Sequence, residues 1–171
     1  MLDKEKIKNI TREFLIAIGE NPEREGLKDT PERVANMCEE MFLGLDCPKN
    51  NLVVTFSEPK SSGNIVEVNK IPVRSVCEHH LLPFFGFANI KCIPQNGKIL
   101  GLSKFARIVD FMSRKPHVQE NLTSEIADYL WEILSPIGIE VSLECTHTCM
   151  TVRGVKAENS TTKTTSKRGE I

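Results

Sequence analysis

The sequence lacks an excess of charge of either sign, since 22 lysines and arginines stand against 23 aspartates and glutamates. This balance argues against a chain whose whole surface binds nucleic acid. The sequence also lacks a run of about 18 apolar residues, the length that a membrane-spanning helix needs. We therefore expect neither nucleic acid nor membrane as a partner, and an anionic ligand would need a local cluster of basic residues.

Residues 1–6 carry alternating charges and lack the apolar stretch of a signal peptide, so we expect none. Six cysteines without a secretory signal predict reduced thiols and a cytoplasmic location rather than a disulfide framework. There is no internal repeat, and no glycine-rich P-loop that would bind phosphate in the usual way.

The order of the predicted elements indicates the fold class. Two helices are predicted first, at residues 3–18 and from Thr30, where Asp29 and Pro31 form a typical helix start. Strand-like segments at 51–56, 65–77 and 84–93 precede helices at 103–113 and 116–134, and a strand-like segment follows at 137–153. The polar tail, 158–171, has little to anchor it. We predict an α+β fold with a mainly antiparallel sheet, divided into a helical segment 1–48 and a second domain 49–171.

Two short windows contain three of the four histidines and two of the six cysteines: Cys77-Glu78-His79-His80 and His147-Thr148-Cys149. Thiolate and imidazole ligands together favour zinc over magnesium or calcium. If the second window lies in a strand, alternation places His147 and Cys149 on the same face. Three possibilities remain. The first is a closed structural site of Cys77, His80, His147 and Cys149, and the second is a three-ligand catalytic site with spare histidines for proton transfer. The third is a set of buried thiols and hydrogen-bonded histidines that bind no metal.

Three further segments carry candidate ligand-binding residues. Ser103 is a plausible N-cap at a helix start, where backbone N–H groups attract anions, and Lys104 and Arg107 share a face of that helix. By themselves, these two residues are better explained as a solvated basic edge. Glu120, beside Gln119, would ordinarily complement a helix dipole, and Arg33 would ordinarily be a helix-surface arginine.

Taken together, these segments resemble GTP cyclohydrolase I over roughly residues 3–166. The matching stretches are residues 29–35, Cys77-Glu78-His79-His80, Gly101-Leu102-Ser103-Lys104, Val118-Gln119-Glu120, and His147-Thr148-Cys149 followed by Arg153-Gly154. The resemblance implies a tunnelling fold: an antiparallel four-stranded sheet with two helices on one face, preceded by helices. It also implies that the sheets close into barrel rings, and that two five-subunit rings form a homodecamer.

The resemblance implies a zinc enzyme that opens the imidazole ring of GTP, releases formate and forms 7,8-dihydroneopterin triphosphate, the first step of folate or pterin biosynthesis. Cys77, His80 and Cys149 would bind Zn²⁺, and a zinc-activated water would attack C8 of guanine. The implied catalytic residues are His79, His147 and Ser103. Those implied to bind the substrate are Glu120 and Gln119 at the guanine, and Lys104, Arg107, Arg153 and, from a neighbouring subunit, Arg33 at the phosphates.

Two other classes are weighed against this interpretation. One is a non-catalytic zinc-stapled oligomerisation module with the same fold, which would have four protein ligands on its zinc. The other is a zinc nucleobase deaminase, which needs a Pro-Cys-x-x-Cys element that the sequence lacks. Other tunnelling-fold enzymes, such as pterin synthases and nitrile reductases, fit the two windows less well.

Overall fold

The computed structural model describes residues 2–45, 55–58, 60 and 62–171. Two compact units divide the chain, Met1–Cys47 and Pro48–Ile171. The strand expected at 51–56 lies mostly outside the described residues. Within the described ranges, no helix has the length and apolar character required to cross a membrane; the cytoplasmic location stays a prediction.

The N-terminal unit consists of helices α1 (Lys4–Ala17) and α2 (Thr30–Met41) and a 3₁₀ turn at Leu43–Leu45. The side chain of Asp3 caps α1 by accepting a hydrogen bond from the backbone N–H of Lys6 at 2.9 Å. Ion pairs join the two helices, Lys4 with Glu39 and Lys8 with Glu32.

The second unit contains all of the described strands. Their bounds are β1 Thr55–Ser57, β2 Val66–Cys77, β3 Pro83–Ile93, β4 Lys98–Leu100, β5 Pro116–His117, β6 Gly138–His147 and β7 Thr162–Gly169. The main sheet has the order β5-β2-β3-β6-β7, and every pair except the short β2–β5 pair is antiparallel. The expected four-stranded antiparallel sheet is therefore confirmed, with β5 added at one edge; β1 and β4 form a separate pair.

Two helices, α3 (Leu102–Ser113) and α4 (Gln119–Leu134), share one hydrophobic core with a single face of this sheet. Because successive strand residues alternate between faces, Ala88 and Ile90 of β3 point into that core. The opposite face is open, and Phe85 and Phe87 are 52% and 51% exposed there. The sheet is thus covered on one side only within the second unit.

One close strand approach requires a glycine. Gly86 of β3 pairs with Cys145 of β6, and a Cβ atom at position 86 would lie 2.0 Å from the carbonyl oxygen of Glu144. No side chain fits at that distance, so only glycine allows β3 and β6 to pair this closely.

Two predicted elements in the second half of the chain are wrong. Residues 116–118 do not begin the long helix, because Pro116 and His117 pair with β2 and Val118 is extended. The segment at 137–153 is not strand throughout: β6 ends at His147 and a single helical turn, α5 (Thr148–Thr151), follows. His147 and Cys149 therefore do not share a strand face.

The tail is also different from the prediction, because β7 pairs with β6 from Gly138↔Gly169 to Cys145↔Thr162. Its inward-facing side chains are polar and bond to α4: Arg168 donates to Asp128 at 2.7 Å and to Ser124 at 2.9 Å. A polar strand is thus anchored by hydrogen bonds rather than by apolar burial.

A smaller correction concerns Ser103, since Gly101 occupies the N-cap position of α3 and no side chain caps it.

Candidate metal centre and active site

The chain leaves β2 through a turn that backbone hydrogen bonds hold. The N–H of Cys77 donates to the carbonyl oxygen of Leu82, and that of Leu81 donates to Cys77, both at 2.8 Å. Leu81 has a positive φ of 54°, which lets the chain reverse within a few residues. The N–H of Glu78 donates to the carbonyl oxygen of His117 at 3.2 Å. This turn carries Cys77, His79 and His80.

The end of β6 is held by its pairing with β3, which extends to Phe84↔His147, and by side-chain contacts. After His147, the turn α5 places Cys149 next to the β2 turn. The hydroxyl of Thr148 donates to the carbonyl oxygen of Pro83 at 2.6 Å, and the imidazole of His147 stacks on Phe84 with ring centroids 4.6 Å apart. Both contacts fix the end of β6 to the start of β3.

Together the two segments bring Cys77, His80 and Cys149 into one group, with ligand atoms all within 4.8 Å of one another. Two sulfurs and one imidazole form a donor set that suits zinc and other thiophilic metals. Burial, and next the neighbouring Cys77 thiol, raise the pKa of Cys149. A cation between the two sulfurs would reverse this by favouring the thiolates. The residues present therefore fit a metal ion.

Cys145 and His147 do not belong to this group. Cys145 is 1% exposed in the core, where burial raises the pKa of its thiol to about 12, so it stays protonated. The Nε2 atom of His147 lies 2.7 Å from Oε1 of Gln119. A closed structural site would need His147 as its fourth ligand. The metal-binding group identified among the described residues contains only the other three.

Two further predicted residues, His79 and Arg153, lie next to the group. His79 places its Nδ1 atom 4.0 Å from the sulfur of Cys77, and its ring is nearly perpendicular to that of His80 at 6.5 Å. The guanidinium of Arg153 donates from Nη1 to Nε2 of His80 at 3.2 Å. A fixed positive charge therefore lies at the edge of the site.

The surroundings of His147 favour its neutral form. Burial lowers the pKa of His147, while the negative charge of Glu120, in the first turn of α4, opposes the shift. Gln119 is 1% exposed, so its side chain faces His147 and the sheet rather than solvent. Glu120 is exposed.

The other predicted residues lie apart from these contacts. Ser103, Lys104 and Arg107 occupy the first two turns of α3, with Ser103 and Arg107 exposed. Among the described contacts, none joins them to the cysteine–histidine group. Arg33 belongs to the N-terminal unit, where its guanidinium donates to Asp29 at 3.3 Å.

Sequence reasoning missed three residues that support the site. His117 is buried, with Nε2 2.8 Å from the carbonyl oxygen of Met112, and its own carbonyl holds the β2 turn. Thr148 and Thr164 contribute hydroxyl groups near His147 and Gln119. The alternation of threonine and serine with charged residues in the tail was the one available signal, since it is typical of a half-buried strand.

The fold and the site define a tunnelling-fold protein with a cysteine–histidine group that could hold a metal ion. A solved structure with this fold is that of the archaeosine synthase QueF-Like in its apo form. It is similar with a TM-score of 0.51 and 16% sequence identity, over 64% of this chain and 98% of that one.

The sequence comparisons define the family. The profile of the GTP cyclohydrolase I family matches residues 7–171. GTP cyclohydrolase 1 of Acetivibrio thermocellus is 52% identical over 171 residues, 100% of this chain and 91% of the relative. The corresponding protein of Caldanaerobacter subterraneus subsp. tengcongensis is 53% identical over 169 residues, 99% and 89% of the two chains. The chain belongs to the GTP cyclohydrolase I family.

Proposed function

We propose that this chain hydrolyses GTP at the imidazole ring of guanine, releases C8 as formate and yields 7,8-dihydroneopterin triphosphate. The observation that carries the proposal is the three-membered group of Cys77, His80 and Cys149 with two further histidines beside it. It stands in a chain about half identical, along its full length, to proteins named GTP cyclohydrolase 1.

The metal in this proposal is Zn²⁺, held by Cys77, His80 and Cys149. Three protein ligands leave one coordination position for water, as catalytic zinc sites require. When bound, zinc supplies a nucleophile at neutral pH by lowering the pKa of its water to about 7. The metal-binding group identified among the described residues does not include His147, which supports this assignment over a closed four-ligand site.

His147 is the proposed proton carrier for ring opening. Attack at C8 places electron density on the ring nitrogens, and the protonated form of a histidine can donate a proton to N7. The stacking on Phe84 and the contact with Gln119 hold the imidazole in one orientation. His79, in the β2 turn and next to His80, is assigned to the later ribose opening and rearrangement.

Glu120 is the proposed guanine-binding residue. A carboxylate can accept hydrogen bonds from both N1–H and the 2-amino group of guanine, and adenine offers no such donor pair. Its place in the first turn of α4, directly after Gln119 and close enough to influence His147 electrostatically, supports this role. Gln119 itself has its amide turned inward, so we assign it to the support of His147 rather than to direct substrate contact.

The triphosphate is assigned to basic groups around the start of α3 and beside the metal group. Lys104 and Arg107, with the backbone N–H groups of the α3 N-terminus, form one such cluster, and Ser103 would act near the ribose and phosphates. Arg153 contributes positive charge next to His80. Arg33 would complete the site from a neighbouring subunit.

That last assignment requires an oligomer, and we propose a homodecamer of two five-subunit rings. The described sheet has open edges at β5 and β7, and closure of such sheets into a barrel removes unpaired strand edges. A light-scattering mass ten times that of one chain would support the decamer. A monomer that turns over GTP would remove Arg33 from the site.

Incubation of the zinc-loaded protein with GTP tests the function directly. Formate and, after oxidation, a fluorescent pterin are expected from GTP, and neither is expected from ATP. The matched variant is Glu120→Gln, which keeps the side-chain volume but replaces one acceptor oxygen with a donor. It should weaken GTP use at unchanged zinc content. Absence of formate from wild-type protein with full zinc content would reject the proposal.

A further inference from the structure

We propose that Gln119 is a positioning residue that fixes the orientation and tautomer of His147, and that the C-terminal strand β7 holds Gln119 in place. This inference rests on the proposed function, because it concerns the histidine to which the proton transfer is assigned. It gives the tail of the chain a part in the active site, although β7 contributes no residue to the metal group.

The side-chain amide of Gln119 bridges His147 and the sheet. Its Oε1 atom lies 2.7 Å from Nε2 of His147. Its Nε2 atom lies 3.0 Å from the carbonyl oxygen of Thr162, 3.0 Å from the hydroxyl of Thr164 and 3.3 Å from the carbonyl oxygen of Leu143. All of these groups surround a side chain that is only 1% exposed.

The chemistry of these neighbours determines which way the amide points. Carbonyl oxygens only accept hydrogen bonds, so the NH₂ group must face Thr162 and Leu143. The oxygen of Gln119 then faces His147 and can only accept. A neutral imidazole meets that acceptor with a proton on Nε2, which leaves the lone pair on Nδ1. Nδ1 is therefore the nitrogen that accepts a proton and, once protonated, donates it to the substrate.

A closed ring of hydrogen bonds strengthens this assignment. Thr123 donates its hydroxyl proton to the backbone oxygen of Gln119 at 2.8 Å. Because a hydroxyl has one proton, the 2.6 Å contact between Thr123 and Thr164 must use the proton of Thr164. The lone pairs of Thr164 then accept from the amide of Gln119. Every donor in this buried ring has an acceptor, so rotation of the amide would break several bonds together.

The stacking of His147 on Phe84, with ring planes 11° apart, fixes the plane of the imidazole. Stacking alone does not distinguish Nδ1 from Nε2, because a flip of the ring keeps the same plane. The hydrogen bond from Gln119 makes that distinction. Phe84 thus determines the plane of the His147 ring, and Gln119 determines which ring nitrogen faces it.

The first test is spectroscopic and needs no turnover. Long-range ¹H–¹⁵N spectra of the zinc-loaded, substrate-free protein, at a pH where the ring is neutral, should show His147 as the Nε2–H tautomer. In Gln119→Leu, which removes both the acceptor and the amide donors, the spectra should show a mixture of tautomers. A wild-type protein with the proton on Nδ1 would overturn the proposal, whether or not the protein acts on GTP.

The second test separates positioning from general support of the fold. Residues that orient metal ligands typically contribute about 10–100-fold to activity, and we expect a residue that orients His147 to contribute on the same scale. Gln119→Leu should therefore lower kcat by about this factor, with KM changed little and zinc content unchanged. A fall in zinc content without a fall in kcat per bound zinc would instead assign Gln119 to the metal site and refute the proposal.

Variants of β7 keep the proposal testable if Gln119→Leu does not fold. Thr164→Val should lower kcat by less than Gln119→Leu, and Thr164→Ser, which restores the hydroxyl, should recover wild-type kcat. Thr165→Val is the matched control, since Thr165 is exposed on the other face of the same strand, and it should change nothing. Equal effects of Thr164→Val and Thr165→Val would show that β7 acts only through general stability and would overturn the role given to it.

Discussion

The two segments that carry the metal-binding group are held in different ways. The β2 turn, with Cys77 and His80, is fixed by backbone hydrogen bonds, and one positive φ at Leu81 lets the chain reverse. The end of β6, with His147 and Cys149, is paired with β3 up to Phe84↔His147 and depends in addition on side chains, namely a threonine hydroxyl, an aromatic stack and the amide of Gln119. The comparison indicates that substitutions outside the ligands will disturb the second segment more than the first.

The largest effect should come from the ligands themselves, where the two segments are equivalent. Cys77→Ser and Cys149→Ser should each abolish metal binding and activity together, because zinc sites use three or four protein ligands and each variant would leave two. Metal analysis of the purified variants measures this. Cys145→Ala is the control, since that buried thiol lies outside the group, and it should retain its metal. Retention of metal in either serine variant would remove that cysteine from the ligand set.

His147→Ala should separate chemistry from metal binding at the end of β6. We expect zinc to be retained while kcat falls by about 10²–10⁴-fold, the usual contribution of a general acid–base group. Single-turnover kinetics with GTP, together with zinc analysis of the same sample, provide the measurement. Stoichiometric release of zinc from this variant would make His147 a ligand and contradict the division between the two segments.

Thr148→Val should expose the dependence of the β6 end on side chains. The substitution preserves shape but removes the 2.6 Å bond to Pro83, and the loss of one such bond costs about 1 kcal/mol of unfolding free energy. Denaturant unfolding of the zinc-free protein would detect it. We also expect Cys149 to be positioned less firmly, so that the variant loses zinc to a chelator faster than the wild type. Zinc loss at the wild-type rate would show that α5 does not need this contact.

Leu81→Gly should have the smallest effect. Relief of a left-handed conformation is worth about 1 kcal/mol, and the greater freedom of glycine in the unfolded chain costs about 0.5–1 kcal/mol. Since Leu81 is 64% exposed, little apolar burial is lost and the unfolding free energy should change by less than about 0.5 kcal/mol. A large loss of stability or zinc would show that the β2 turn also relies on its side chains.

The sequence predicted the elements whose signals are local. The first helix was placed within a residue at each end because its apolar spacing is regular. The strand β7 was missed because contacts with α4 stabilise it, through Arg168 with Asp128 and Thr164 with Thr123, some 40 residues away. The end of β6 was missed because alternation in residues 147–151 is compatible with a strand, whereas tertiary contacts turn the chain there.

The candidate site divides along the same lines. That Cys77, His80 and Cys149 might meet followed from ligand chemistry in two short windows, without knowledge of the backbone path. The contact between Gln119 and His147, 28 residues apart, could not be inferred in this way. No sequence pattern indicates which residue a glutamine at a helix start will contact. The resemblance to the GTP cyclohydrolase I family is confirmed.

The glycine at position 86 shows how far the demands of such a centre extend. Any larger residue there would force β6 away from β3, and β6 delivers His147 only two pairs further along. Cys149 would then lie farther from Cys77. Gly86 takes no part in the chemistry. Its lack of a side chain is nevertheless required for Cys77, His80 and Cys149 to come together.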